Sequence, residues 1–143
     1  MPSDFSLKAM NSAHRVLQKI TRGAAGWHVG GMPVIELTTI GRRSGEARTT
    51  MLTSPLREGD VYVVVASRGG DDRHPAWFLN LRAEPKVEVV IEGGTRTPMH
   101  AREATPEERA RLWPVIATKH PNYAGYQEKT TREIPLVLLE PLG

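Results

Sequence analysis

The stretch PVIELTTIGRRSGEARTTMLTSP, residues 33–55, is two runs of β-branched residues around a glycine- and arginine-rich centre. Valine, isoleucine and threonine favour the pleated conformation, and glycine supplies the positive φ that a tight connection needs, so the stretch reads as strand, turn, strand. A hairpin has no use for the three arginines, Arg42, Arg43 and Arg48, set within eight positions. What those guanidinium groups hold is the functional question.

The same pattern continues downstream. DVYVVVASRGG, KVEVVIEGG and TPMHAREA are short, rich in β-branched residues and separated by turn chemistry at residues 57–60 and 92–95. Such connections make neighbouring strands antiparallel. HPAWFLNLRAE interrupts as a short helix, with Pro75 suited to its first turn and Pro85 beyond its end. Thr105, Pro106 and Glu108 spell a capping box with proline at the first helical position. Pro114 inside that helix predicts a kink or a restart. IPLVLLEP closes the chain as an apolar strand. Antiparallel strands with inserted helices predict an α+β domain whose sheet closes into a small barrel.

Residues 1–32 read separately, as an amphipathic helix over about 4–21 followed by a glycine-rich linker before the barrel domain of 33–143. The helix either packs on the domain or serves at a membrane surface or as a gate to substrate. This segment carries four basic groups against one acidic, which accounts for the whole formal charge of +3. The remaining charge is balanced, so a broad phosphate-tracking face for nucleic acid is not supported, and the basic loop has no interleaved aromatics on which bases would stack. No window approaches the run of about eighteen apolar residues that a membrane span requires. No secretory signal is present, so the expected address is cytoplasmic.

Few catalytic classes remain. The chain has no cysteine, which removes disulfides, thiol nucleophiles and thiolate metal sites. The five histidines, His14, His28, His74, His100 and His120, lack metal-ligand spacing, so no metal is expected. Nucleophile-elbow, P-loop and dinucleotide fingerprints are absent. What is left is the loop at 41–45, the segment Ser67, Arg68, Gly69, Gly70, and the aromatic helix bearing Trp77 and Phe78. Turned inward, backbone N–H groups of the first would bind an anion, with the arginines adding charge-assisted hydrogen bonds. Small residues in the second would admit a flat ring, with Trp77 and Phe78 as its walls. Equally, the loop is a solvated hairpin and the aromatics are core. From the residues alone the reading stops at a small α+β domain that binds an anionic ligand.

Taken in order, LTTIGRRSGEART, VVVASRGG, HPAWFLNLRAEPKVEV and ATPEERARLWP, then HPNYAGYQ and REIPLVLLEP, resemble the deazaflavin (coenzyme F420)-dependent nitroreductase family. The likeness covers roughly residues 33–141. It implies a split β-barrel related to FMN-binding reductases, and a reductase that passes a hydride from reduced deazaflavin to a conjugated ketone, lactone, quinone or nitro acceptor. It also implies a monomer that exchanges its cofactor with a separate F420-reducing dehydrogenase. Arg42, Arg43, Ser44, Gly45 and Arg48 match the family's tail-binding loop, with Thr49, Thr50 and Met51 continuing along the cofactor. Ala66, Ser67, Arg68 and Gly69 match the strand end that meets ring and phosphate, and Trp77, Phe78 and Asn80 match the bordering helix. No covalent nucleophile is implied. Tyr123 and Tyr126 match substrate-pocket tyrosines, with His120 and Thr53 where the family has two more and Ser67 as a further donor. The two tyrosines serve equally as helix packing. An FMN-dependent reductase of the same barrel and a non-catalytic deazaflavin binder are the alternatives.

Overall fold

The computed structural model describes residues 28–142, so the N-terminal helix read over 4–21 lies outside the described residues. Eight strands and three helices follow in the order β1 (His28–Val29), β2 (Met32–Ile40), β3 (Ala47–Thr53), β4 (Leu56–Glu58), β5 (Val61–Val65), α1 (Ala76–Ala83), β6 (Lys86–Ile91), β7 (Thr97–Glu103), α2 (Pro106–Lys119), α3 (Pro121–Glu128) and β8 (Leu136–Pro141). The sheet runs β1-β2-β6-β7-β8-β5-β4, with β3 also paired to β2. Every pairing is antiparallel. The sheet curls into a half-barrel, in keeping with the split β-barrel that the resemblance implies.

The reason for the curl is visible in β5 and β8. Tyr62, Val64, Val137 and Leu139 enter one apolar cluster together with Phe78 and Leu81 of α1. The alternate residues Val63, Val65, Leu136 and Leu138 enter a second, with Leu112 and Ile116 of α2 and Tyr123 of α3. Side chains alternate across a strand, so this adjacent pair is dry on both faces and reads as a continuous apolar run. One face fills the barrel and the other seats the helices.

Gly30 and Gly31 (φ +58 and +79) make the two-residue turn between β1 and β2, so strand structure starts at His28, a little before the expected boundary. At α2 the capping box is complete: the Thr105 hydroxyl accepts from the Glu108 N–H (3.2 Å), and the Glu108 carboxylate accepts from the Thr105 N–H (2.9 Å). The restart expected at Pro114 is not found: α2 continues through it to Lys119, and the chain breaks only at His120 before Pro121. Proline deletes one intrahelical bond, and the burial of Leu112 and Ile116 on either side offsets that loss.

Arg102 of β7 binds Glu108 bidentately (2.7 and 2.8 Å) and Glu140 of β8 (3.0 Å), stapling α2 to the sheet. The guanidinium, with the Thr105 N–H, holds the Glu108 carboxyl down at about 2. A carboxyl depressed in the folded state contributes stability above its unfolded value near 4.5 and loses it as pH falls toward 2. We therefore expect Glu108→Gln to cost about 1–2 kcal/mol at pH 7 and much less at pH 3, read as urea midpoints at the two pH values. An equal cost at both would show that the charge is not the stabilising element.

Candidate active site

The connection between β2 and β3 is pinned by its own backbone. Gly41 donates to the Glu46 carbonyl (2.7 Å), Gly45 to the Gly41 carbonyl (2.8 Å), and the Glu46 N–H to the Ser44 hydroxyl (3.1 Å). A Cβ on Gly41 would stand 2.7 Å from the Ser44 Oγ and displace the hydroxyl that accepts from Glu46. The Arg42 N–H and its Nη1 both donate to Oδ1 of Asn80 on α1 (3.2 and 3.1 Å), and the Asn80 Nδ2 donates to the buried Thr39 hydroxyl (3.2 Å). These bonds spend the N–H groups of Gly41, Arg42, Gly45 and Glu46 internally. Of residues 41–45, this leaves the N–H groups of Arg43 and Ser44 for the expected cradle. The loop's charged donors are guanidinium groups: Arg43 makes no ion pair among the described residues, and Arg48 meets Glu46 at 3.4 Å with 59% of its side chain exposed. Behind the loop, the Thr38 and Thr49 hydroxyls meet across β2 and β3 (2.9 Å), while Met51 is buried.

After β5 the chain turns sharply through a 3-10 segment, Arg68–Gly70. The resemblance puts Arg68 beside a phosphate, yet its guanidinium is buried and donates to Asp71 (3.1 Å). The Arg73 N–H (2.8 Å), followed by the charges of Arg68 and Arg73, keeps the Asp71 carboxyl below its ordinary range. A Cβ on Gly70 would stand 2.8 Å from the Tyr126 carbonyl, so this glycine serves close approach by α3. Ala66, Ser67 and Gly69 remain the small residues at the strand end. Phe78, expected as a ring wall, is wholly in the core, 4.8 Å from the His74 ring and edge-on to Trp77. Only the half-buried Trp77 can act as such a wall.

The rings of His120, just before α3, and of Tyr123 and Tyr126 on it form a chain of edge contacts at 6.3 and 6.0 Å. The structure brings Thr53 to this cluster, its hydroxyl 3.3 Å from the Tyr123 hydroxyl, which also donates to the Met32 sulfur (3.6 Å). Tyr123 is buried, and burial pushes its phenol up. Helix packing and pocket lining, posed as alternatives for the tyrosines, divide here: Tyr123 is core, and Tyr126 and His120 stay half-exposed. Sequence reasoning missed Arg132, whose guanidinium reaches the Ala66, Ser67 and Asp71 carbonyls and His74. No local pattern marks it, since its acceptors lie 58 to 66 residues away.

A loop presenting Arg42, Arg43 and Arg48 against Glu46 alone is a donor set that fits a polyanionic tail better than a single phosphate. The sequence of residues 11–141 matches the model of the F420H(2)-dependent quinone reductase family. The chain belongs to that family. An F420H(2)-dependent quinone reductase of Mycobacterium tuberculosis strain H37Rv is 39% identical over 130 residues, covering 88% of this chain and 86% of the relative. A solved F420-H2 dependent reductase is 40% identical, covering 76% of this chain and 94% of its own at a TM-score of 0.65. A second solved relative, a domain-swapped dimer, is 37% identical and covers 92% and 96% at a TM-score of 0.67. Of the cofactors left open by the residues, membership of the F420H(2)-dependent quinone reductase family selects F420, and it makes the protein an oxidoreductase of quinone-like acceptors rather than a passive binder. No helix among the described residues is long and apolar enough to cross a membrane.

Asn80 is the link between loop and helix. Asn80→Ala removes the partner of both Arg42 donors and leaves the Thr39 hydroxyl buried without its donor, at an expected cost of about 1–3 kcal/mol. Faster amide exchange at Arg42 than in the parent is the specific signature, and an unchanged Arg42 amide would show that Asn80 does not hold the loop.

Proposed function

We propose that residues 42–51 hold the anionic tail of F420, that residues 66–69 meet its ring system, and that a quinone or other conjugated carbonyl compound binds between that ring and α3. The supporting observation is the β2–β3 loop, clamped rigidly on α1 by Asn80 yet carrying arginines exposed to solvent. Arg42, Arg43 and Arg48 bind the tail, Ser44 and Gly45 shape the turn that presents them, and Thr49, Thr50 and Met51 line its continuation. Trp77 borders the ring, with Phe78 and Asn80 supporting that helix from within.

Reduced F420 supplies the hydride when bound, and the protein's part is to bind, orient and exclude water. A quinone that receives a hydride needs one proton to become the hydroquinone. Ser67, His120 and Tyr126 are the donors that reach toward a carbonyl oxygen on which charge develops, while Thr53 fixes the Tyr123 hydroxyl behind them. Enones and lactones present the same carbonyl and belong to the same reading. The oxidised cofactor then leaves for reduction by a separate dehydrogenase, which suits a tail site made of exposed, salt-screened charges rather than buried ones.

The test is a tryptophan-fluorescence titration with F420 beside FMN at one salt concentration, followed by quinone-dependent oxidation of F420H2. Saturable binding of F420 and turnover with a benzoquinone are expected. Arg43→Ala or Arg48→Ala should each weaken F420 binding by on the order of 1.5–3 kcal/mol. Wild-type affinity in both variants would overturn the loop assignment.

A further inference from the structure

The turn that follows β5 is held in an unusual conformation. Arg68, Gly69 and Gly70 are successive residues with positive φ (47, 64 and 87), and for Arg68, which has a Cβ, that region is disfavoured. The Gly70 and Asp71 N–H groups fold back on the Ser67 and Arg68 carbonyls (2.9 and 3.1 Å), which still leaves the strand exit in need of an anchor. The anchor comes from the far side of α3. Arg132 Nη2 donates to the Ala66 and Ser67 carbonyls (3.2 and 2.9 Å), Nε to the Asp71 carbonyl (2.9 Å), and Nη1 faces His74 Nδ1 (3.2 Å). Its own backbone is fixed in turn, the N–H donating to the Thr130 hydroxyl and the carbonyl accepting from Gln127 Nε2 (2.7 Å). A planar fork with several fixed donors is what such a cluster of carbonyls requires, and a lysine cannot reproduce it.

We propose that Arg132 is a positioning residue for the cofactor: it sets the backbone of residues 66–69 against which the deazaflavin ring lies, and it does so with a neutral His74 as its fourth acceptor. The proposal rests on the assignment of that strand end to the ring. Guanidinium nitrogens only donate, so His74 Nδ1 must accept and its ring proton sits on Nε2. The groups facing His74 are Arg132 from the segment after α3, Arg82 and Phe78 from α1, and Glu103 from β7. Burial, then the charges of Arg132 and Arg82, hold its pKa below 6.5 against the opposing pull of Glu103. The group is neutral in the folded state, so this contact is complete above about pH 6.5 and is lost as pH falls through the lower folded value. Protonation would set an imidazolium against the guanidinium and loosen the turn.

The test uses the full chain in two states. In cofactor-free protein, Arg132→Met should raise amide exchange in the peptide spanning 66–71 by about ten-fold or more, a readout that needs no F420. With F420, Arg132→Met should raise Kd and lower kcat, each by about 10- to 100-fold, with partial recovery in Arg132→Lys. Wild-type exchange in Arg132→Met overturns the proposal, and so does faster exchange with unchanged Kd and kcat, which would reduce Arg132 to a stabilising residue. Should Arg132→Met not fold, the pH profile decides: F420 affinity should weaken below pH 6.5 in wild type and stay flat in His74→Asn, which keeps an acceptor near Nδ1 without titrating. Parallel profiles overturn it. If wild type binds no F420, the ring assignment falls, and with it the cofactor part of this proposal, while the exchange result still decides whether Arg132 holds the turn.

Discussion

Adjacent strands β5 and β8, dry on both faces, set the terms for everything around them. Such a pair cannot sit at a solvent edge, so β7 covers one side and β4 the other, while α1 and the α2–α3 pair seal the two faces. The apolar run ends where Ala66 leaves the sheet, its N–H still bonded to the Pro135 carbonyl (3.0 Å). Backbone groups there are buried and must be paired, yet the ladder has ended. Arg132 supplies the missing donors. In the proposed assignment the strand exit and the ring platform are the same place, so one side chain answers the structural need while shaping the functional one.

The site joins two kinds of support. On the tail side, Asn80 ties the loop to α1 through a short polar chain from Thr39 to Arg42. On the ring side, the turn after β5 is tied to α3 and the segment after it through Gly70 and Arg132. The tail-side tie rests on the neutral Asn80 amide, and the ring-side tie spreads the Arg132 charge over carbonyls and the His74 ring, while the loop arginines stay exposed. The arginines accordingly fall into two sets. Arg68 and Arg102 are consumed by carboxylates, Arg132 by carbonyls and a neutral imidazole, and Arg43 and Arg48 remain available to an outside anion.

Much of the architecture was legible because it rests on local chemistry. The capping box at Thr105 and the glycine turns at 57–60 and 92–95 each specify a conformation within a few residues, and the period-two and continuous apolar runs specify how many faces of a strand are buried. At Pro114 the helix does not restart, because tertiary burial outweighs one lost helical bond. In the candidate site the residue types were legible and their orientations were not. Arg68 looks like a ligand-facing cation in ASRGG, and only the fold reveals that Asp71, three residues on, turns it inward. Phe78 looks like a wall beside Trp77, but successive residues on a helix face in different directions, and the core takes one of them. Arg132 sits in a polar segment with no periodicity, and its partners are backbone carbonyls, which leave no mark on sequence.

The division among the arginines bears on the proposed exchange of cofactor. A tail held in a buried cluster of charges would pay a large desolvation cost on each entry, and release would be slow. Exposed guanidinium groups at a rigid loop pay little desolvation, gain from electrostatic steering of a polyanion, and weaken with ionic strength because the intervening medium is water. Specificity for the ring then has to come from elsewhere, from a surface whose shape does not yield. In the proposed assignment the dry β5–β8 pair and its anchored exit fill that role, the loop providing capture and the sheet end geometry. On that assignment, rigidity at residues 66–69 and accessibility at 42–48 are complementary requirements of a reductase whose cofactor arrives reduced, aligns once, and leaves.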